Sequence, residues 1–318
     1  MRVLFASLAS VGHTYPLIPL AVAAREAGHE VHFAAGENVH APLAANGLRP
    51  FRPADSFYEI YAEDLEPELA RLRPDLVVHE WGLPGAAVAA RRAGIPGVWH
   101  GFGRMIPAGI GLELPALDVP HIDICPSSLQ DENFLPAVRI GLRPVPFSPP
   151  GELPALGAPL VYLTLGTAFG TPELLATAIR GLAGVGRVVV AAGRVPLAEL
   201  GDVPANVTVH EWVPQAELLP HADLVVHHGG SGTTLGALAV GAPQLVLPQG
   251  ADQFANADAV CAAGAGLRLD DPSADAITEQ ARKLLAHNGH RDAARAIADE
   301  IARMPAPDEV ARRLPDFA

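Results

Sequence analysis

Three groups of residues have the types and spacing for chemistry. The longest runs from Trp212 to Gln253, with HHGGSGTTLGALAVGAP (227–243) at its centre. Two histidines close an apolar run, Gly229, Gly230 and Gly232 make a turn, and a helical period follows from Thr233 to Val240. Glycine lets the backbone take positive φ and approach a ligand closely. The start of a helix offers N–H groups and the positive end of its dipole to an anion. Ser231, Thr233 and Thr234 add hydroxyls there. The turn lacks the lysine of a Walker loop and is not GxGxxG; taken alone, it serves equally well to pack a helix on a sheet. Its flanks add two more elements. HEWVPQAELLPHAD (210–223) puts Trp212 on a loop, and LPQGADQFANA (247–257) puts Asp252 and Gln253 after the next strand. An aromatic platform, an anion cradle and paired hydroxyl-binding groups in one unit are what a nucleotide-sugar requires.

The second group is His13 with Glu80. His13 follows the first apolar run and Glu80 ends a later one, LVVHE, so parallel strands would bring both to one crevice. A carboxylate that fixes an imidazole tautomer leaves the other ring nitrogen as a general base. A single histidine after a strand is also a common structural residue, and His79 and His100 lie nearby as alternatives. The third group, Trp81, Phe102, Arg104 and Met105, would line a pocket.

The elements that must position these residues alternate in type. Apolar runs at Arg2–Leu8, Glu30–Ala35, Leu76–Glu80 and Gly97–His100 read as strands. Helical periods at Pro16–Ala27 and Pro84–Ala93 lie between them, and 59–71 reads as an acidic helix. RPVPFSPPGELPALGAP (143–159) interrupts the pattern, because so many prolines exclude a helix or a central strand. Beyond it, strands are expected at Leu160–Leu165, Arg187–Ala192, Val207–His210, Leu224–His227 and Gln244–Leu247. Helices are expected at Pro172–Ala183, Asp275–His287, Arg291–Arg303 and Ala306–Leu314. Alternation of this kind implies parallel sheets with right-handed crossovers. The expected class is α/β, with two Rossmann-like domains facing across a cleft. Residues 1–145 form the first, 146–158 a linker and 159–303 the second, and 304–318 return as a helix to the first.

The chain has 318 residues with 22 Lys+Arg against 35 Asp+Glu, a formal charge of −13. An apolar content of 49% excludes a disordered chain, and the acidity argues against nucleic acid as a partner. A phosphate-containing small ligand stays open, since backbone amides hold it without net positive charge. Cys125 and Cys261 are read as two buried, reduced thiols. The apolar run in MRVLFASLASVGH is too short for a signal peptide and leads straight into a helix. No run is long enough for a membrane span, so the expected location is the cytoplasm. With no D-x-D at a strand end, neither a bridging metal nor another cofactor is implied.

The segment W-x-P-Q (212–215), H-x-G (228–230) and D-Q (252–253) resembles the donor-binding signature of family 1 glycosyltransferases. The resemblance extends to LTLGT (163–167) and GHTYPLIPLAVAAREAGHEV (12–31), and within the family it is greatest to actinomycete natural-product enzymes that transfer deoxysugars. It implies the GT-B fold. It also implies that Trp212 stacks on the base and Val213 holds the base edge. Thr167, His228, Gly229, Gly230 and Thr233 would take the diphosphate, and Asp252 and Gln253 the sugar hydroxyls. His13 would take the place of the catalytic base, with Glu80 where the family usually has Asp. Many users of uridine nucleotides carry a Glu where this chain has Gly236, to bind the ribose hydroxyls. Its absence favours a dTDP-sugar over a UDP-sugar as donor. The implied reaction is a single inverting displacement onto a small-molecule or carrier-bound aglycone. The first domain is short for the family, chiefly where an acceptor pocket is usually walled, so the resemblance implies Trp81, Phe102, Arg104 and Met105 as acceptor-pocket residues, and a homodimer is the candidate assembly. Two other readings stand beside it: a GT-B sugar-nucleotide epimerase, and a non-catalytic auxiliary protein stabilising a partner enzyme.

Overall fold

Two wholly parallel sheets organise the chain, each with the strand order of a Rossmann fold. The computed structural model describes residues 1–54, 56–109 and 116–318. Among these, the first sheet has strands β1 (Arg2–Ala6), β2 (Glu30–Ala34), β3 (Arg49–Phe51), β4 (Leu76–Glu80), β5 (Gly97–His100), β6 (Pro120–Asp123) and β7 (Val138–Gly141). Their order is β3-β2-β1-β4-β5-β6-β7. The second sheet has β8 (Leu160–Thr164), β9 (Arg187–Ala191), β10 (Val207–His210), β11 (Leu224–His227), β12 (Gln244–Val246) and β13 (Gly266–Arg268), in the order β10-β9-β8-β11-β12-β13. The central strands β4, β8 and β11 are buried at every position. Strands covered on both faces have to be continuous apolar runs rather than alternating ones.

In each sheet the order reverses beside the first strand, between β1 and β4 and between β8 and β11. The crevice beyond the carboxyl ends of such a strand pair is where doubly wound sheets bind ligands. The register sets Ala6 opposite His79 in the first sheet and Thr164 opposite His227 in the second. Residues that follow β1 and end β4 therefore meet at one switch point, and residues that follow β8 and β11 meet at the other.

The chain divides into two compact units, Met1–Phe147 with Arg303–Ala318, and Ser148–Ala302. The helix Pro307–Arg313 packs on Ile18–Glu26 within the first unit, where His29 Nε2 donates to the Ala311 carbonyl at 3.3 Å. Residues 148–158, expected as a linker, belong to the second unit: Ser148 Oγ accepts from the Ala216 amide at 3.1 Å. Three-residue β3 and β13, strands β6 and β7, and the helix Gln253–Ala262 were not expected. Strand ends otherwise shift by one or two residues. The stretch beyond His100, read as short for the family, includes residues 110–115, which lie outside the described residues. Neither cysteine forms a disulfide; Cys125 is buried as expected, whereas Cys261 is only half-buried because its helix lies at the surface.

Candidate functional site

In the first unit the chain leaves β1 through a short loop and enters a one-turn helix, Val11–Thr14, that carries His13. Thr14 pins this turn, its hydroxyl donating to the Leu8 carbonyl at 2.9 Å and sharing a 2.9 Å hydrogen bond with Ser7 Oγ. Glu80 ends β4 fully buried. Its carboxylate accepts from the Leu8 amide at 3.1 Å, the Gly82 amide at 2.6 Å and His13 Nδ1 at 3.2 Å. A buried carboxylate needs compensation of this kind. Gly82 leaves room for this carboxylate, since a Cβ there would lie only 3.0 Å from Leu8 Cδ1 and 3.1 Å from both Glu80 oxygens. With Nδ1–H directed at Glu80, Nε2 is the basic nitrogen of His13.

The third expected group divides. Phe102 packs its ring edge-on to His13, with centroids 4.7 Å apart. Arg104 pairs with Asp131 at 2.8 Å and donates to the Leu129 carbonyl at 3.1 Å. The Met105 amide donates to Gln130 Oε1 at 2.7 Å, so both residues fasten their loop to 129–131. Trp81 is a correction: it lines no surface. It is fully buried with Trp99, Phe102 and Phe134, its indole N–H donating to His121 Nδ1 at 3.1 Å. Gly101 makes room for it, since a Cβ there would fall 2.8 Å from the indole. His79 and His100, the alternatives to His13, are likewise buried in the core.

In the second unit the glycine turn follows β11, with Gly229 at φ +93° and Gly230 capping the helix Ser231–Ala239. The helix starts two residues earlier than expected. The first-turn amides of Ser231, Gly232 and Thr233 thus have no carbonyl within the helix to donate to, which leaves them for an anion. The hydroxyls expected to assist are committed elsewhere. Ser231 Oγ donates to Asp252 Oδ2 at 2.9 Å, Thr234 Oγ1 to the Gly230 carbonyl at 3.0 Å, and Thr233 Oγ1 to Gln215 Oε1 at 3.4 Å. Gly229 also turns its polar groups inward, its N–H donating to His227 Nδ1 and its carbonyl accepting from Asn256.

The His228 ring is wedged between two glycines. A Cβ at Gly166 would lie 2.5 Å from its Cε1, and one at Gly230 2.5 Å from its Nε2. Burial lowers its pKa to about 4, against the opposing pull of the Asp252 carboxylate, so the ring is neutral near pH 7. Thr167 lies in the turn that follows Gly166 beyond β8, half-buried. Trp212 is 44% exposed beyond β10, while the adjacent Val213 is buried and Gln215 is held by the Tyr162 hydroxyl at 3.1 Å. Asp252 stands at the N-terminal end of the helix Gln253–Ala262, with no side-chain hydrogen bond to its first-turn amides. Gln253 is turned inward, only 2% exposed, with Oε1 accepting from the Gln249 amide at 2.8 Å and the Gly250 amide at 3.2 Å. Sequence reasoning did not single out Gln215, His227 or Asn256. Asn256 was findable, because i and i+4 share a helix face and Asp252 is four residues before it. Among the described residues no helix is long and apolar enough to cross a membrane.

Two parallel sheets of Rossmann order, one with a His–carboxylate pair at its switch point and the other with a glycine turn opening a helix, are the architecture of the GT-B glycosyltransferases. The family described as erythromycin biosynthesis protein CIII-like, C-terminal domain, matches residues 179–317. The elloramycin glycosyltransferase ElmGT of Streptomyces olivaceus is 34% identical over 378 aligned positions, covering 99% of this chain and 97% of that protein. Since this chain has 318 residues, that alignment carries gaps on its side. The glycosyltransferase VinC, solved in complex with dTDP, superposes with a TM-score of 0.84 at 25% identity, covering 100% of this chain and 99% of that one. The spinosyn rhamnosyltransferase SpnG, solved with spinosyn aglycone, has a TM-score of 0.80 at 29% identity, covering 99% and 100%. The chain belongs to the family of actinomycete antibiotic glycosyltransferases.

Proposed function

We propose that this glycosyltransferase moves a sugar, a deoxysugar in its natural reaction, from a dTDP-linked donor to a natural-product aglycone with inversion at the anomeric carbon. The observation that carries the reading is the 3.2 Å contact between His13 Nδ1 and a Glu80 carboxylate that two backbone amides already hold. It supports His13 as general base. The acceptor hydroxyl gives its proton to Nε2 as its oxygen attacks the anomeric carbon, the bond from that carbon to the diphosphate oxygen breaks, and Glu80 stabilises the imidazolium that forms. Charge developing on the leaving diphosphate meets the amides of Ser231, Gly232 and Thr233 and the neutral ring of His228, as preorganised dipoles rather than a bridging metal. Exposed Trp212 stacks on the base, and Asp252 binds a sugar hydroxyl. The complex of VinC with dTDP supports a thymidine nucleotide, as does Gly236, which offers no acceptor for a ribose 2′-hydroxyl. An intact His13–Glu80 pair favours an enzyme over an auxiliary protein. Turnover of dTDP-glucose and UDP-glucose with a panel of aglycones, followed by mass spectrometry, tests this reading. A dTDP preference is expected; a strong UDP preference, or no transfer from either, contradicts it.

A further inference from the structure

Gly229 is held at both ends of its backbone by buried side chains. Its N–H donates to His227 Nδ1 at 3.0 Å, and its carbonyl accepts from Asn256 Nδ2 at 2.8 Å. Its φ of +93° suits glycine alone, and a Cβ there would meet the Gln253 carbonyl and Val246 Cγ1, each at 2.9 Å. His227 is fully buried, and its other nitrogen, Nε2, donates to Gln244 Oε1 at 2.7 Å. The Gln244 amide in turn donates to the Thr234 carbonyl at 3.3 Å, one turn into the helix that follows. This chain fixes the tautomer: hydrogen on Nε2, a lone pair on Nδ1. An imidazolium would have no lone pair to offer Gly229, and burial keeps the ring neutral. Asn256 reaches further. The same Nδ2 lies 3.1 Å from Ser231 Oγ and 2.9 Å from Asp252 Oδ2, joining the turn to the carboxylate proposed for the sugar.

We propose that His227 and Asn256 are positioning residues for the nucleotide-sugar: they clamp the Gly229 peptide from behind, so that the amides of Ser231, Gly232 and Thr233 form the diphosphate cradle and Asp252 is held in register with it. Gly229 then shapes the cradle and does not itself bind phosphate. Without the clamp, glycine, the most permissive residue, would leave the turn to be ordered on binding, which weakens affinity. The inference rests on the nucleotide reading above.

The side chains of Asn and Gln separate the two nitrogens of His227. Asn carries a polar oxygen where His has Nδ1, whereas Gln carries its polar atoms where His has Nε2. Calorimetric titration of the full chain with dTDP, alongside thermal melting, compares His227→Asn with His227→Gln. His227→Asn is expected to bind dTDP nearly as the unchanged protein does, and His227→Gln to bind roughly tenfold more weakly or worse, as for loss of a partner by a buried amide. Asn256→Asp replaces a donor with an acceptor facing Asp252, and is expected to weaken dTDP by a similar factor. A merely structural role would lower the melting temperature of both His227 variants and leave their dTDP affinities alike. A folded His227→Gln or Asn256→Asp that binds dTDP as the unchanged protein does overturns the clamp; if the His227 variants do not fold, Asn256→Asp decides. If the unchanged protein binds neither dTDP nor UDP, the nucleotide reading itself fails, whereas binding that no variant alters removes the clamp alone.

Discussion

Replacing Glu80 by Gln changes one atom, and its consequences follow from three hydrogen bonds. Glu80 Oε1 accepts from the Leu8 amide, and Oε2 accepts from the Gly82 amide and His13 Nδ1. Glutamine has one acceptor oxygen and one NH2 group. With the oxygen towards Gly82 and His13, the NH2 meets the Leu8 N–H donor to donor, and a buried amide loses its partner at a cost of about 1–3 kcal/mol. Turned the other way, the NH2 opposes the Gly82 amide and donates to His13 Nδ1. The proton then moves to Nε2, and that tautomer cannot accept a proton from the aglycone. Either way the charge that stabilises the imidazolium is gone. For Glu80→Gln, kcat is expected to fall by roughly 10²–10⁴ with the donor KM and dTDP affinity unchanged. Melting of the first unit should fall by about 2–4 °C for each kcal/mol lost. Glu80→Asp, which keeps the charge on a shorter arm, should lie between the two. Single-turnover release of dTDP, followed by chromatography across the pH range, reads this directly. A folded Glu80→Gln whose kcat and pH profile match the unchanged enzyme would rule out Glu80 as the partner of a general base.

Two further outcomes follow from buried groups in the two units. Gly166→Ala adds a methyl 2.5 Å from the His228 ring at a residue with φ +73°, so the variant should melt lower and lose dTDP affinity, as titration and melting would show together; unchanged binding would place His228 away from the nucleotide. Burial lowers the pKa of His79 and His227 to about 3 and of His100 and His228 to about 4, from an ordinary 6.5. Below pH 6.5 the unfolded chain takes up protons that the folded chain refuses, so stability falls with pH by up to about 1.4 kcal/mol per unit for each histidine until the folded values near 3–4 are reached. Melting temperature should be flat just above pH 7 and drop steeply between pH 6.5 and 5; a melting temperature at pH 5 equal to that at pH 7 would contradict this.

The central fold was legible in the sequence for a physical reason. Strands buried on both faces are largely apolar runs, so LVVHE and LVVH announced β4 and β11, with Glu80 and His227 at their carboxyl ends. Three-residue strands such as Arg49–Phe51 and Gly266–Arg268 carry no period to detect. The helix Gln253–Ala262 buries chiefly small and polar residues, so its apolar stripe is faint. Residue type placed the switch points but did not reveal which way a polar group faces. Ser231, Thr233 and Gln253 are of the kinds that meet a ligand, yet their side chains bond to the protein. Trp81, adjacent to Glu80, was read as a pocket wall, but its indole fits the space left by Gly101, and its N–H finds His121. The family resemblance alone points to His13 as a base, and no spacing rule conveys that Gly82 leaves room for the Glu80 carboxylate beside it.

His13→Ala, assayed for sugar transfer and for dTDP binding on the same preparation, tests His13 as the general base. His13 lies in the first unit, whereas Trp212, His228, the helix-start amides and Asp252 all lie in the second. Transfer is expected to be lost while dTDP affinity and the melting profile stay those of the unchanged protein. Full transfer by His13→Ala would contradict it.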